Sequence, residues 1–240
     1  MHILGCSIEL VILDVDGVIL DILGGLRKNL EETASHFKLA LEPIAKNIKE
    51  ITEGKARIKG NARDSVHDIW PHLIVTEITE FVSYFYEVER RCPYALIDGA
   101  LGAIMSLRTY GIPLALATNN PMKSLRWRLE AVGIDPSWFA VIVTKDDKYF
   151  KPHPQTFDYI FERIGVARER TLYVGDLQID WDMARGASVH FCAVLSGGIP
   201  REAFIAEGVP PKHIFNRIGD IVEHIEVALD IQKCDTPLCA

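Results

Sequence analysis

The chain has 240 residues, 48% hydrophobic and 25% charged, with 17 glycines and 12 prolines. Such a composition excludes a fibrous or low-complexity chain, and at this length a core can form without a disulfide or metal staple. Lysine and arginine number 26 against 33 aspartates and glutamates, and the net charge of −7 argues against nucleic acid as a partner of the whole surface.

In chain order, the first element is an apolar run over residues 9–15 that ends in acid and glycine. It carries Glu9 and Asp14 and has no basic cluster before it, so it reads as a strand and not as a signal peptide. From about Ile22 to Ala95 the only periodicity is helical. Leu26, Leu30, Ala34, Phe37 and Leu41 form one stripe, which Pro43 interrupts. Ile44, Ile48 and Ile51 form a second that stops at Gly54, and Ile74, Ile78, Phe81, Val82, Phe85 and Val88 form a third after Pro71.

Strand texture then returns at 112–118, 140–144, 171–175 and 190–195. These runs are apolar on both faces, as buried parallel strands are. Helical stripes separate them: Leu125, Leu129 and Val132 close near Gly133, while Phe157, Ile160, Phe161 and Ile164 close near Gly165. The pattern predicts an α/β fold with an open parallel sheet built from residues 1–21 and 96–240, and a helical insertion over 22–95. The longest uncharged run, 15 residues between Arg185 and Arg201, is shorter than the about 20 that a bilayer span needs, so no membrane is expected. Five scattered cysteines suit a reducing, cytoplasmic compartment, with Cys234 and Cys239 read as a reduced tail.

In open parallel sheets, ligands bind beyond the carboxyl ends of the strands. The first strand delivers Asp14-Val15-Asp16-Gly17, where the two acids, two positions apart in extended backbone, face one site and Gly17 permits close approach. The second delivers Thr118-Asn119-Asn120. Lys151-Pro152 follows the third, and the fourth ends in Gly175-Asp176 with Asp180 close behind. Several carboxylates without His or Cys point to a hard cation, Mg²⁺, and a hydroxyl with a lysine completes a cradle for phosphoryl oxygens. This set suits phosphoryl transfer to an aspartate followed by attack of water.

These four segments, in this order, resemble the motifs of the haloacid dehalogenase superfamily. The insertion resembles its helical-cap branch, and Thr118-Asn119-Asn120-Pro121 with Lys151-Pro152-His153-Pro154 resembles phosphoglycolate-phosphatase-like members. The resemblance implies a Rossmann-like core with an α-helical cap and a phosphatase acting on a small phosphorylated metabolite through an aspartyl phosphate. It implies Asp14 as nucleophile and metal ligand, and Asp16 as acid and base with its carbonyl on the metal. Gly17, Thr118, Asn119 and Lys151 would meet the phosphoryl group, and Asp176 and Asp180 would complete the Mg²⁺ site. Asp16 favours phosphate chemistry over dehalogenation, and Leu177 departs from the Ser or Thr common at that position. A sugar phosphomutase of the same superfamily and a non-catalytic phosphate-binding protein are the alternatives.

Other features read more plainly. The segment 46–63 holds Lys46, Lys49, Lys55, Arg57, Lys59 and Arg63 against Glu50 and Glu53. It is a solvated helical face, or else it attracts an anionic substrate to the cleft beside the insertion. Asp182 suits a surface role and Asp21 the start of the insertion. His67 and His72 do not share a helical face and do not suggest zinc. Trp127, Trp138 and Phe139 are expected in the core.

Overall fold

A computed structural model describes residues 2–53 and 62–226. The chain opens with β1 (His2–Ile3) and β2 (Cys6–Ser7), then β3 (Leu10–Leu13) and β4 (Leu20–Asp21). Four helices follow: α1 (Ile22–His36), α2 (Glu42–Thr52), α3 (Ala62–Ile69) and α4 (Val75–Arg91). After β5 (Ala95–Leu96) strands and helices alternate: α5 (Ala100–Thr109), β6 (Leu114–Ala117), α6 (Met122–Ala131), β7 (Val141–Val143), α7 (Thr156–Ile164), β8 (Thr171–Gly175) and α8 (Gln178–Gly186). The last elements are β9 (His190–Val194), α9 (Arg201–Ala206), β10 (Ile214–Phe215), α10 (Ile218–Val222) and β11 (Ile225–Glu226).

Six strands make one parallel sheet in the order β10-β9-β8-β3-β6-β7. Side chains alternate across a strand, and both faces of this sheet are covered. Val11 and Leu13 of β3 pack with Leu114 and Leu116 under α5, α6 and α10. Leu10 and Ile12 pack with Ala115, Ala117 and Tyr173 under α7, α8 and α9. That two-sided burial is why the runs lack polar alternation.

Four of the apolar runs overshoot their strands by a residue or two, and the run 171–175 coincides with β8. After Leu13 the backbone turns, and Ile19 and Leu20 both donate to the Val15 carbonyl at 2.8 and 2.9 Å. Pro43 does more than interrupt a stripe. It sits in the first turn of α2, where its missing N–H leaves no intrahelical bond unmade.

Helices α1–α4 surround their own cluster, which includes Leu30, Ala34, Ile44, Trp70, Phe81 and Phe85. They connect to the sheet through a two-stranded antiparallel ribbon, β4 paired with β5, with Leu20 opposite Leu96 and Asp21 opposite Ala95. Asp21 also caps α1 by accepting from the Gly24 N–H at 3.1 Å. Among the described residues no helix is long and apolar enough to cross a membrane.

Phe157 is fully buried between α7 and the sheet, edge-on to Tyr173 with ring centroids 5.0 Å apart. Phe157→Ala is expected to lower the unfolding free energy by about 3–5 kcal/mol in a denaturant titration, and a loss under about 1 kcal/mol would contradict this packing.

Candidate active site

The carboxyl ends of β3, β6 and β8 and the loop after β7 meet at one edge of the sheet. Asp14, Lys151, Asp176 and Asp180 come together there, all buried. Lys151 Nζ lies 2.7 Å from Asp14 Oδ2 and 2.8 Å from Asp180 Oδ1. Asp14 Oδ1 accepts from the Val15 N–H at 2.7 Å, which fixes the carboxylate from its other side. Asp180 Oδ1 also accepts from the Tyr173 hydroxyl at 2.6 Å, and its Oδ2 accepts from the N–H groups of Asp176 and Leu177 at 3.2 and 3.0 Å. The start of α8 thus holds Asp180 firmly, and Asp180 in turn holds Lys151.

Two glycines make room for Asp176. A Cβ at Gly17 or Gly197 would sit 2.1 or 1.8 Å from Asp176 Oδ2, closer than any packing allows. Gly17 also has a φ of +77°, a left-handed conformation that favours glycine. Its carbonyl accepts from Ser196 Oγ at 2.6 Å, so the turns after β3 and β9 brace each other.

Positive charge is short here. One oxygen from each of Asp14, Asp176 and Asp180 lies within 4.8 Å of the others, the one such grouping of potential ligands among the described residues. Burial pushes the Asp14 carboxyl up to about 7, and the Lys151 ammonium pulls against it. Burial, then Asp14 and Asp180, push Asp176 well above the usual carboxylate range. Burial works against the Lys151 ammonium, but Asp14 and Asp180 outweigh it and hold its pKa above the usual lysine value. One ammonium cannot offset three carboxylates, and Asp176 Oδ1 is buried with no partner. A hard divalent cation on these oxygens would correct both deficits.

Asp16 stands outside that trio. Its Oδ2 accepts from Asn120 Nδ2 at 3.0 Å, and both its oxygens lie 3.2 Å from Arg128 Nη1. Arg128 also donates to Asn120 Oδ1 at 2.8 Å and to both Glu89 oxygens at 2.7 and 2.5 Å, and the Tyr94 hydroxyl donates to Glu89. Glu89 comes from α4 and Arg128 from α6, so this buried network joins the inserted helices to the sheet. Thr118 Oγ1 accepts from the N–H and the amide of Asn120 at 3.2 and 3.1 Å, which leaves its own proton to donate. Asn119 lines the same pocket, about 170 Å³ in volume, with its buried Oδ1 unpartnered.

Arg128, Glu89, Tyr94 and Gly197 are site residues that the sequence motifs leave out, and Asn120, which lies within a motif, gains its link to Asp16 only in the fold. Glu89 follows Phe85 by one helical turn, and Arg128 follows Leu125 by three residues. A charge on a buried helical face is the signal that could have found both. Trp127 departs from its expected place in the core. One position away from the buried Arg128, it turns off that face, is half-buried and lies 5.7 Å from the guanidinium. Phe139 is buried, Trp138 packs against the core, and Asp182 pairs with Arg185 at 3.0 Å. Lys46 and Lys49 are exposed and lie 3.9 and 3.7 Å from Glu50 and Glu53, as a solvated face would have them. Lys55, Arg57, Lys59, Cys234 and Cys239 lie outside the described residues.

Comparison with known proteins agrees with this fold. The family model for haloacid dehalogenase-like hydrolases matches residues 8–188. A phosphoglycolate phosphatase of Escherichia coli K12 is 33% identical over 143 residues, 59% of this chain and 55% of that protein, so the match spans about half the relative's length. One from Haemophilus influenzae 86-028NP is 26% identical over 192 residues, 78% of this chain and 84% of the relative. The solved structure of a predicted phosphoglycolate phosphatase from Haemophilus somnus superposes with a TM-score of 0.76 at 22% identity, over 90% of this chain and 97% of that one, and shows the shared fold.

Removing Arg128 strands a buried carboxylate at Glu89, and Arg128→Ala is expected to destabilise the chain by about 3–5 kcal/mol. The double variant Glu89→Ala, Arg128→Ala should lose clearly less than the sum of the two single variants in denaturant titrations. Additive losses would contradict the pairing.

Proposed function

The chain belongs to the haloacid dehalogenase-like hydrolase family, and on that premise we propose that it is a Mg²⁺-dependent phosphatase of a small phosphorylated metabolite. The observation that carries this reading is the buried chain Asp14–Lys151–Asp180 set against Asp176, a constellation rich in oxygen and poor in positive charge. Asp14 and Asp176, with the carbonyl of Asp16, would hold the cation, and Asp180 would support them. When bound, Mg²⁺ supplies positive charge that offsets these carboxylates and the phosphoryl oxygens.

The remaining chemistry is assigned to the chain's own groups. Lys151 and the Thr118 hydroxyl bind phosphoryl oxygens and orient the phosphorus toward Asp14, with Gly17 and Asn119 completing the cradle. An Asp14 oxygen attacks phosphorus, the bond from phosphorus to the substrate oxygen breaks, and Asp16 gives its proton to the leaving alkoxide. Water then attacks the aspartyl phosphate, Asp16 takes a proton from it, and the Asp14–phosphorus bond breaks to release inorganic phosphate. Arg128 and Asn120 orient Asp16 for both transfers.

Helices α1–α4 act as the cap in this reading. Phe85, Tyr86 and Glu89 of α4 and Ile22 and Leu26 of α1 form one wall of the pocket, and closure would exclude bulk water. Because the named relatives are phosphoglycolate phosphatases, phosphoglycolate is the first ester to assay.

Asp14→Asn is expected to reduce phosphate release to background while leaving the fold intact by circular dichroism, whereas normal turnover in this variant would contradict the nucleophile assignment. Excess chelator should abolish release, and added Mg²⁺ should restore it. Full activity in chelator would sink the metal requirement.

A further inference from the structure

Beside the catalytic pocket, between α3, α4 and the loop after β7, lies a second cleft of about 440 Å³. The two spaces share Ala62, Tyr86 and Asn119. The catalytic pocket, at about 170 Å³, falls below the roughly 300–1,000 Å³ usual for small-molecule sites, and the adjoining cleft brings the whole into that range. Both chambers together therefore suit a substrate that the first alone would only partly enclose.

The second chamber is cationic. Lys145 reaches it from the loop after β7 and Arg63 from α3. Among the described residues neither has an ion-pair partner. Lys145 is half-buried, and burial, with Arg63 and Arg128 adding to it, draws its pKa below the usual lysine value against the single opposing pull of Asp146. Asp146 itself is exposed and accepts from the Met122 N–H at 2.8 Å. The hydroxyls of Thr79 and Ser83 in the same wall donate to carbonyls of their own helix at 2.8 Å and bring no negative charge. No acid lines the cleft beside these two cations, half-buried Lys145 and exposed Arg63, and the nearby Asp146 offsets Lys145 only in part. An anion there relieves their repulsion and replaces the water that burial has removed.

We propose that this cleft is a subsite for a second anionic group of the substrate, a carboxylate or a phosphate, held by Lys145 and Arg63 while the scissile phosphoryl group sits at Asp14. The inference rests on the phosphatase reading and narrows its substrate class. Lys145 does not line the catalytic pocket, so the two anions occupy different but adjoining chambers. Asn119 stands in the wall common to both chambers, and its unpartnered Oδ1 accepts a hydroxyl carried by that chain.

The test is calorimetric binding to the full chain carrying Asp14→Asn, with Mg²⁺ present, using two matched pairs of probes. Fructose 1,6-bisphosphate against fructose 6-phosphate reads a second phosphate, and 6-phosphogluconate against glucose 6-phosphate reads a carboxylate. At least one doubly anionic probe should bind about tenfold tighter than its partner. Adding Lys145→Gln and Arg63→Gln should erase that preference, and Lys145→Arg should keep it. Equal affinity within both pairs, including no measurable binding of either member, overturns the subsite, as does a preference that survives the double substitution. Phosphate release by the unsubstituted chain is measured in parallel on p-nitrophenyl phosphate and the same probes. A binding preference without any phosphate release keeps the subsite and sinks the phosphatase reading, and release without a preference does the reverse.

Discussion

Three carboxylates and a single ammonium share a space from which water is largely excluded, and the rest of the site is arranged around that imbalance. Burying ionised carboxylates is expensive unless charge and hydrogen bonds compensate. Asp180 is compensated within the protein by Lys151, Tyr173 and two backbone N–H groups. Asp176 is not, since one of its oxygens is buried without a partner. The sheet order produces this contrast. β3 lies between β6 and β8, so the central strand carries Asp14 while its neighbours deliver Thr118 on one side and Asp176 on the other. Glycines at 17 and 197 then let backbone press against the Asp176 carboxylate, where any side chain would displace it.

The second network solves a different problem. Asp16 lies beside the acidic trio without joining it, and Arg128 and Asn120 draw its carboxylate toward themselves. Because Arg128 is also clasped by Glu89 from α4, the orientation of Asp16 depends on how the inserted helices seat on the sheet. Burial raises the Glu89 carboxyl against the pull of Arg128, so the pair is held by close contact and would be weakened by any separation of the two units. The same helices carry Phe85 and Tyr86 into the pocket wall, so one packing event shapes the cavity and positions Asp16.

Much of this was legible in the sequence, for physical reasons. Buried parallel strands lack polar alternation, so the runs ending at Asp14, Thr118 and Gly175 stood out, and strand ends are where chemistry collects. The helical stripes from Leu26 to Val88 marked the insertion, whose junctions fall on the β4–β5 ribbon. The short strands escaped notice because two residues carry no periodicity: β1, β2, β10 and β11 are examples. Arg128 and Glu89 escaped for another reason. Each is a charge on an apolar helical face, and only the fold reveals that their separate anomalies, 39 positions apart, cancel each other. Gly197 gave no signal at all, because its role depends on a contact with Asp176 that no local pattern encodes.

The uncompensated carboxylates at 14 and 176 call for a divalent cation. Calorimetric titration of the chain with Mg²⁺, without substrate, measures this directly. One ion should bind per chain, and Asp176→Asn should weaken or abolish that binding while the fold persists. No Mg²⁺ binding in the unsubstituted chain, or equal binding after Asp176→Asn, would contradict the account.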